Sequence, residues 1–150
     1  MKKLLFIAIV LIGFSQLSTA QTFEYQTVTV IESIVPNGLG RSRMITANET
    51  RDYKESTSTR TGEDDKRNKT DRSDIRVKGF DETKLLNFFN LGGIRFQNIA
   101  TNDAIVTSKM NTMAEEGWEL AFVNSGIESD AGKGDGKGIY VTRYIFKRSK

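Results

Sequence analysis

The chain has no cysteine, no histidine, one proline and one tryptophan among its 150 residues. Without cysteine there are no disulfides, no thiolate metal ligands and no thiol nucleophile. The lipid-anchored form of export is excluded as well, because it needs a cysteine directly after the cleavage point. Without histidine the chain lacks the commonest general base and the commonest neutral metal ligand. A strong charge of one sign is missing too, with 22 Lys and Arg against 19 Asp and Glu for a net +3.

Long hydrophobic runs are absent with one exception, Leu4 to Phe14, which follows Lys2 and Lys3 and precedes the small-residue stretch Ser18-Thr19-Ala20. This pattern predicts a secretory signal peptide over 1–20, cleaved between Ala20 and Gln21. The alternative, an uncleaved anchor, needs roughly 20 apolar residues to span a bilayer. Cleavage removes Lys2 and Lys3, so 22 basic residues become 20 against 19 acidic ones and the net charge falls to +1. A nearly neutral mature chain is not a nucleic-acid binder, and no stable membrane insertion is expected after cleavage. The expected location is periplasmic or secreted, and residues 21–150 have the size of a single domain.

From Thr22 to Val35, β-branched and aromatic residues alternate with polar ones, which predicts a strand. Pro36-Asn37-Gly38 predicts a turn, with a hairpin partner near Ser42 to Ala47. Between Arg51 and Lys78 the composition shifts to nine basic and seven acidic residues with only Tyr53, Ile75 and Val77 as sizeable apolar side chains. Such a segment buries too little to offset its ordering entropy, so 51–78 reads as a charged, mobile insertion. Within it, Glu55 to Thr61 could extend the hairpin and Ile75 to Gly79 could form an edge strand.

Asp81 has the chemistry of a helix cap, and Leu85, Leu86, Phe88, Phe89 and Leu91 follow at helical spacing, so a short helix is expected there. A strand is expected at Ile94 to Ile99. A second helix, capped by Thr101 or Asn102, turns Val106, Met110, Met113 and Ala114 toward the sheet. Gly117 ends that helix in the left-handed conformation. Trp118, Leu120 and Phe122 then alternate along a strand, which places all three on one face at the centre of the core. The glycine-rich segment Asn124 to Lys137 reads as a loop, and Ile139 to Arg148 as the closing strand of an antiparallel hairpin.

Glu115-Glu116-Gly117-Trp118-Glu119-Leu120 followed by Tyr144-Ile145-Phe146-Lys147-Arg148 resembles the bacterial domain-of-unknown-function family numbered four-one-seven-seven. The resemblance covers about half of the mature chain: Phe23 to Val30, Asp103 to Glu116, Gly117 to Val123 and Tyr144 to Arg148. It implies a strand, a helix and two closing strands. It implies no catalytic residues, and the block from Asn37 to Ile99 has no counterpart in it.

Candidate chemistry is sparse. Gly132-Lys133-Gly134-Asp135-Gly136-Lys137-Gly138 invites a phosphate-loop reading, but Ala131 stands at the leading glycine position and Gly138 where Ser or Thr should hold magnesium. Glu128, Asp130 and Asp135 could offer oxygens to calcium, but their spacing is irregular and Lys133 and Lys137 oppose a cation. Glu115 and Glu116 point about 100° apart on a helix and cannot converge on one bond. No cofactor, metal or catalytic residue is therefore expected.

Together these features predict an α+β fold, a small antiparallel sheet of four to six strands with one or two helices packed on one face. The leading functional class is an exported, non-enzymatic binding or interaction module of the cell envelope, its partner a protein or a polar envelope component. The candidate contact loop carries Glu128, Asp130, Lys133, Asp135 and Lys137. The alternatives are a hydrolase-type enzyme using carboxylates or a Ser-Lys pair, and a purely structural assembly domain. A cleft holding two or more buried titratable groups favours the enzyme, and a filled core with an exposed apolar patch favours the binder.

Overall fold

The computed structural model describes residues 21–35, 42–62, 65–90, 92–129, 133 and 138–150. The expected signal peptide and the Pro36-Asn37-Gly38 turn lie outside them. In chain order the elements are β1 (Phe23–Ser33), β2 (Arg43–Ala47), a 3₁₀ turn (Tyr53–Ser56), β3 (Thr59–Arg60), β4 (Asp65–Lys66) and the single-turn helix α1 (Arg72–Ile75). They continue with β5 (Phe80–Lys84), β6 (Phe89–Asn90), β7 (Gly93–Ile94), α2 (Phe96–Glu115), β8 (Glu119–Glu128) and β9 (Ile139–Ser149).

The fold is α+β. A five-stranded antiparallel sheet runs in the order β5-β2-β1-β9-β8, and two small ladders pair β3 with β4 and β6 with β7. The alternation along β1 fixes which face is covered: Val28 and Val30 are buried while their odd-numbered neighbours are not. Met44 pairs across from Val30, and Phe146 enters from β9, giving a core of Val28, Val30, Met44, Leu85, Met113 and Phe146. Helix α2 covers this face with Ile105, Val106, Met110 and Met113. Burying each such aliphatic or aromatic side chain is worth about 1.5 to 3 kcal/mol.

Gly117 ends α2 as its sequence demands. Its φ is 84°, and Gly117 N–H and Trp118 N–H donate to the carbonyls of Ala114 and Met113 at 3.0 and 2.9 Å. These two bonds satisfy carbonyls that the helix end leaves open.

Four expectations are corrected. The segment after Asp81 is not a helix: Asp81 pairs with Thr46 in β5, and the apolar residues beyond it are held by distant backbone groups. Leu85 N–H donates to Ser42 O, and Phe88 N–H to Ser33 O. Those tertiary bonds replace the i−4 bonds that a helix would have supplied. Second, the strand expected at Ile94 to Ile99 is only the two-residue β7, and α2 starts at Phe96, preceded by Arg95, whose side chain makes no capping bond. Thr101 and Asn102 therefore lie inside the helix, and Ala114 is exposed rather than part of the buried stripe.

Third, Trp118, Leu120 and Phe122 do not share a face. A β-bulge at Ala121 sets Leu120 opposite Phe146 but Phe122 opposite Ile145, so the two side chains leave on opposite sides. Trp118 is half-buried beneath the Arg148 guanidinium, 4.3 Å from the ring centroid. Arg148 also donates to Glu24 Oε1 at 2.8 Å and to Glu116 O at 3.0 Å, tying β9, β1 and the end of α2 together.

Fourth, the insertion neither extends the first hairpin nor forms an edge strand. Thr59 and Arg60 pair locally with Lys66 and Asp65. Its base is closed by Glu49, whose Oε1 accepts Lys78 N–H at 2.9 Å and Arg51 Nη2 at 3.1 Å. Those backbone bonds from Lys78 and Gly79 lower the Glu49 pKa. Neither helical turn of the insertion buries a residue.

Candidate interaction surface

The two edges of the main sheet are built differently. Beta5 is five residues long, Phe-Asp-Glu-Thr-Lys, three of them charged. A short, charged edge resists the addition of another strand. Beta8 is ten residues long and reads Glu-Leu-Ala-Phe-Val-Asn-Ser-Gly-Ile-Glu, with charge only at its two ends. It stands last in the strand order, so its outer backbone groups pair with no strand among the described residues.

The bulge gathers most of the apolar side chains of this edge on the side of α2 and leaves Phe122 on the other. Pairing with β9 places Leu120, Val123, Ser125 and Ile127 on the side of α2, and Phe122, Asn124 and Gly126 on the opposite side. Phe122 is 66% exposed, Ile127 64% and Val123 53%. Surface apolar residues scattered singly need no account, but here they adjoin along one unpaired strand. Glu119 and Glu128 both lie on the face away from α2, paired with Lys147 and Ile139. Glu119 reaches Lys147 Nζ at 3.6 Å while its side chain stays 77% exposed.

The expected contact loop is only partly visible. Glu128 is the last residue of β8 and Lys133 is exposed, whereas Asp130, Asp135 and Lys137 lie outside the described residues. The polar, glycine-rich sequence of Asn124 to Lys137 predicts a loop, yet β8 runs on through Asn124 to Glu128. The signal for the edge was nevertheless present: an uncharged run, Leu120 to Ile127, on a strand without the inward polar alternation of a covered edge.

A second polar cluster lies under the first half of α2. Asn102, buried, donates through Nδ2 to Glu32 Oε1 and to Leu86 O, both at 2.7 Å, and accepts Leu86 N–H at 2.8 Å. Burial raises the Glu32 pKa above the ordinary 4.5, the Asn102 hydrogen bond opposes this, and the nearby Asp103 charge adds to it. Tyr144 is raised by burial and then by the negative charges of Glu32 and Asp103. Among the described residues, no group of three or more acidic side chains is placed to hold a metal. No helix there is long and apolar enough to cross a membrane.

The raised Glu32 pKa has a consequence for stability. The folded state holds this proton more tightly than the unfolded chain, so ionisation costs stability above the folded pKa and nothing below 4.5. Glu32→Gln keeps an acceptor for Asn102 and removes the charge. Its melting temperature is expected to exceed the parent's at pH 7, with the gap closing as the pH falls toward 4.5. Thermal melts across that range check this, and a variant less stable at pH 7 would contradict it.

Comparison with protein-family models, curated proteins and solved structures gave no match, so the likeness noted for Gly117 to Leu120 and Tyr144 to Arg148 stands on those residues alone.

Proposed function

We propose that this protein is an exported, non-enzymatic interaction module of the cell envelope that binds another protein along the outer edge of β8. One observation carries the reading: a ten-residue edge strand charged only at its two ends, with Phe122, Val123 and Ile127 exposed, opposite an edge that is short and charged. An edge left in this state in an abundant monomer invites uncontrolled association, so its retention beside a protected one fits a contact surface.

A photo-reactive residue placed at Phe122 should give a discrete adduct with another protein in intact cells. The same residue at Ile75, which is 46% exposed on the insertion, should give none. Val123→Lys or Ile127→Lys should abolish the Phe122 adduct while shifting stability by no more than about 0.5 kcal/mol, since both positions are exposed. Equal labelling from Phe122 and Ile75, or adducts that survive both lysine variants, would remove β8 as the contact surface.

A further inference from the structure

The backbone of β8 and the two carboxylates that end it specify what the edge can accept. We propose, building on the reading of β8 as the contact surface, that it takes up an extended segment of another protein as a sixth antiparallel strand. That segment carries Lys or Arg at two positions eight residues apart, opposite Glu119 and Glu128, and apolar side chains opposite Leu120, Val123 and Ile127.

The spacing follows from the bulge. Glu119 and Glu128 are nine positions apart, an odd number that would normally put them on opposite faces. On β9 their partners are Lys147 and Ile139, eight apart, because Ala121 has no partner. A regular strand on the outer side meets the same geometry, so its two end residues are in phase and both face the carboxylates. Of the residues between them, those opposite Ile127, Val123 and Leu120 lie on the α2 side, where apolar cross-strand pairs are favourable.

A second copy of this chain is the competing occupant, and charge disfavours it. Antiparallel self-pairing that uses all ten residues of β8 sets Glu119 against Glu128 at both ends. Like charges directly opposite are destabilising, and Lys147, which lies beside Glu119, already serves its own sheet. A basic-ended strand converts both repulsions into attractions. Backbone hydrogen bonds then supply affinity, and the alternating side chains supply selectivity, as in other strand additions.

The probe is a labelled nonapeptide, Lys-Val-Thr-Val-Thr-Val-Thr-Val-Lys, titrated into the full chain by fluorescence anisotropy beside its counterpart with Glu at both ends. The Lys-ended peptide should bind about ten-fold more tightly, from two cross-strand pairs changed in sign. The double variant Glu119→Lys, Glu128→Lys should reverse that order. N-methylation of alternate peptide nitrogens should abolish binding.

Equal affinity for the two peptides would overturn the basic-ended occupant while leaving the edge a contact surface. Binding that survives N-methylation yet is lost in Val123→Lys would overturn strand addition while keeping the surface. No binding of either peptide would overturn the proposal outright, and the Phe122 adduct would judge the broader reading on its own. Concentration-dependent dimers that shield β8 without peptide would assign the edge to a second copy.

Discussion

Phe146→Ala should lower the stability of the folded protein by about 3 to 5 kcal/mol. The ring is 2% exposed on the covered face of β9, in the cluster that joins β1, β2 and α2. Removing it forfeits the transfer of a large apolar side chain from water and leaves a cavity that Val28, Val30 and Met113 cannot fill without moving. A domain of this size holds roughly 5 to 15 kcal/mol in all, so the loss is a large fraction of the total. Phe122→Ala is the matched control: the same residue type on the same sheet, yet mostly exposed, with an expected cost below about 0.5 kcal/mol. Urea unfolding of both variants measures the contrast. Similar midpoints for the two would mean that the face assignment across the bulge is wrong.

Asn102→Leu should cost about 3 kcal/mol, although the substitution places a larger apolar residue in a helix. Asn102 is 1% exposed and closes three hydrogen bonds, two with the backbone of Leu86 and one with Glu32. Its loss leaves the Leu86 N–H and C=O without their partner beneath α2 and strands a half-buried carboxylate, each a cost of about 1 kcal/mol at partly buried positions. The damage should be local. Backbone amides from Leu85 to Phe88 should exchange faster than in the parent, because Asn102, together with Asn98 donating to Asn87 O, pins this irregular stretch to α2. Asn102→Asp separates the parts of this account: it keeps the acceptor for Leu86 N–H, loses the donor, and sets a second carboxylate against Glu32. Its cost at pH 7 should shrink steeply as the pH is lowered and both carboxylates protonate, whereas that of Asn102→Leu should shrink only by the part owed to the stranded Glu32 carboxylate. A parent-like melting temperature for Asn102→Leu would show that Leu86 and Glu32 find other partners.

These two residues also mark what the sequence could and could not reveal. Strands β1, β2 and β9 and the end of α2 at Gly117 are written in local chemistry: alternation, β-branching, and a glycine that supplies positive φ. Beta5 is not, because an edge strand open to water needs no apolar alternation, and the leucines and phenylalanines after it mimic helical spacing while bonding to Ser33, Ser42 and Asn102 far away in the chain. The start of α2 was hidden since Arg95 offers no side-chain cap. Asn102 looked like a cap because Asn usually is one, and its true partners lie 16 and 70 residues away. Nothing in Leu-Ala-Phe announces a bulge, yet that single extra residue sends Leu120 and Phe122 to opposite faces and sets Leu120 on the same face as Val123 and Ile127.

The outer edge of β8 is proposed as the place where this protein meets another. Amide hydrogen exchange over Leu120 to Ile127, compared between the isolated protein and the protein in its own cell-envelope fraction, tests it most directly. In isolation, the alternate N–H groups that point away from β9 should exchange rapidly, as unpaired edge donors do. In the envelope fraction those same groups should be slowed, with β5 and the insertion 51–78 unchanged. Slowed exchange on β5 or the insertion instead, with β8 as fast as in isolation, would contradict the account.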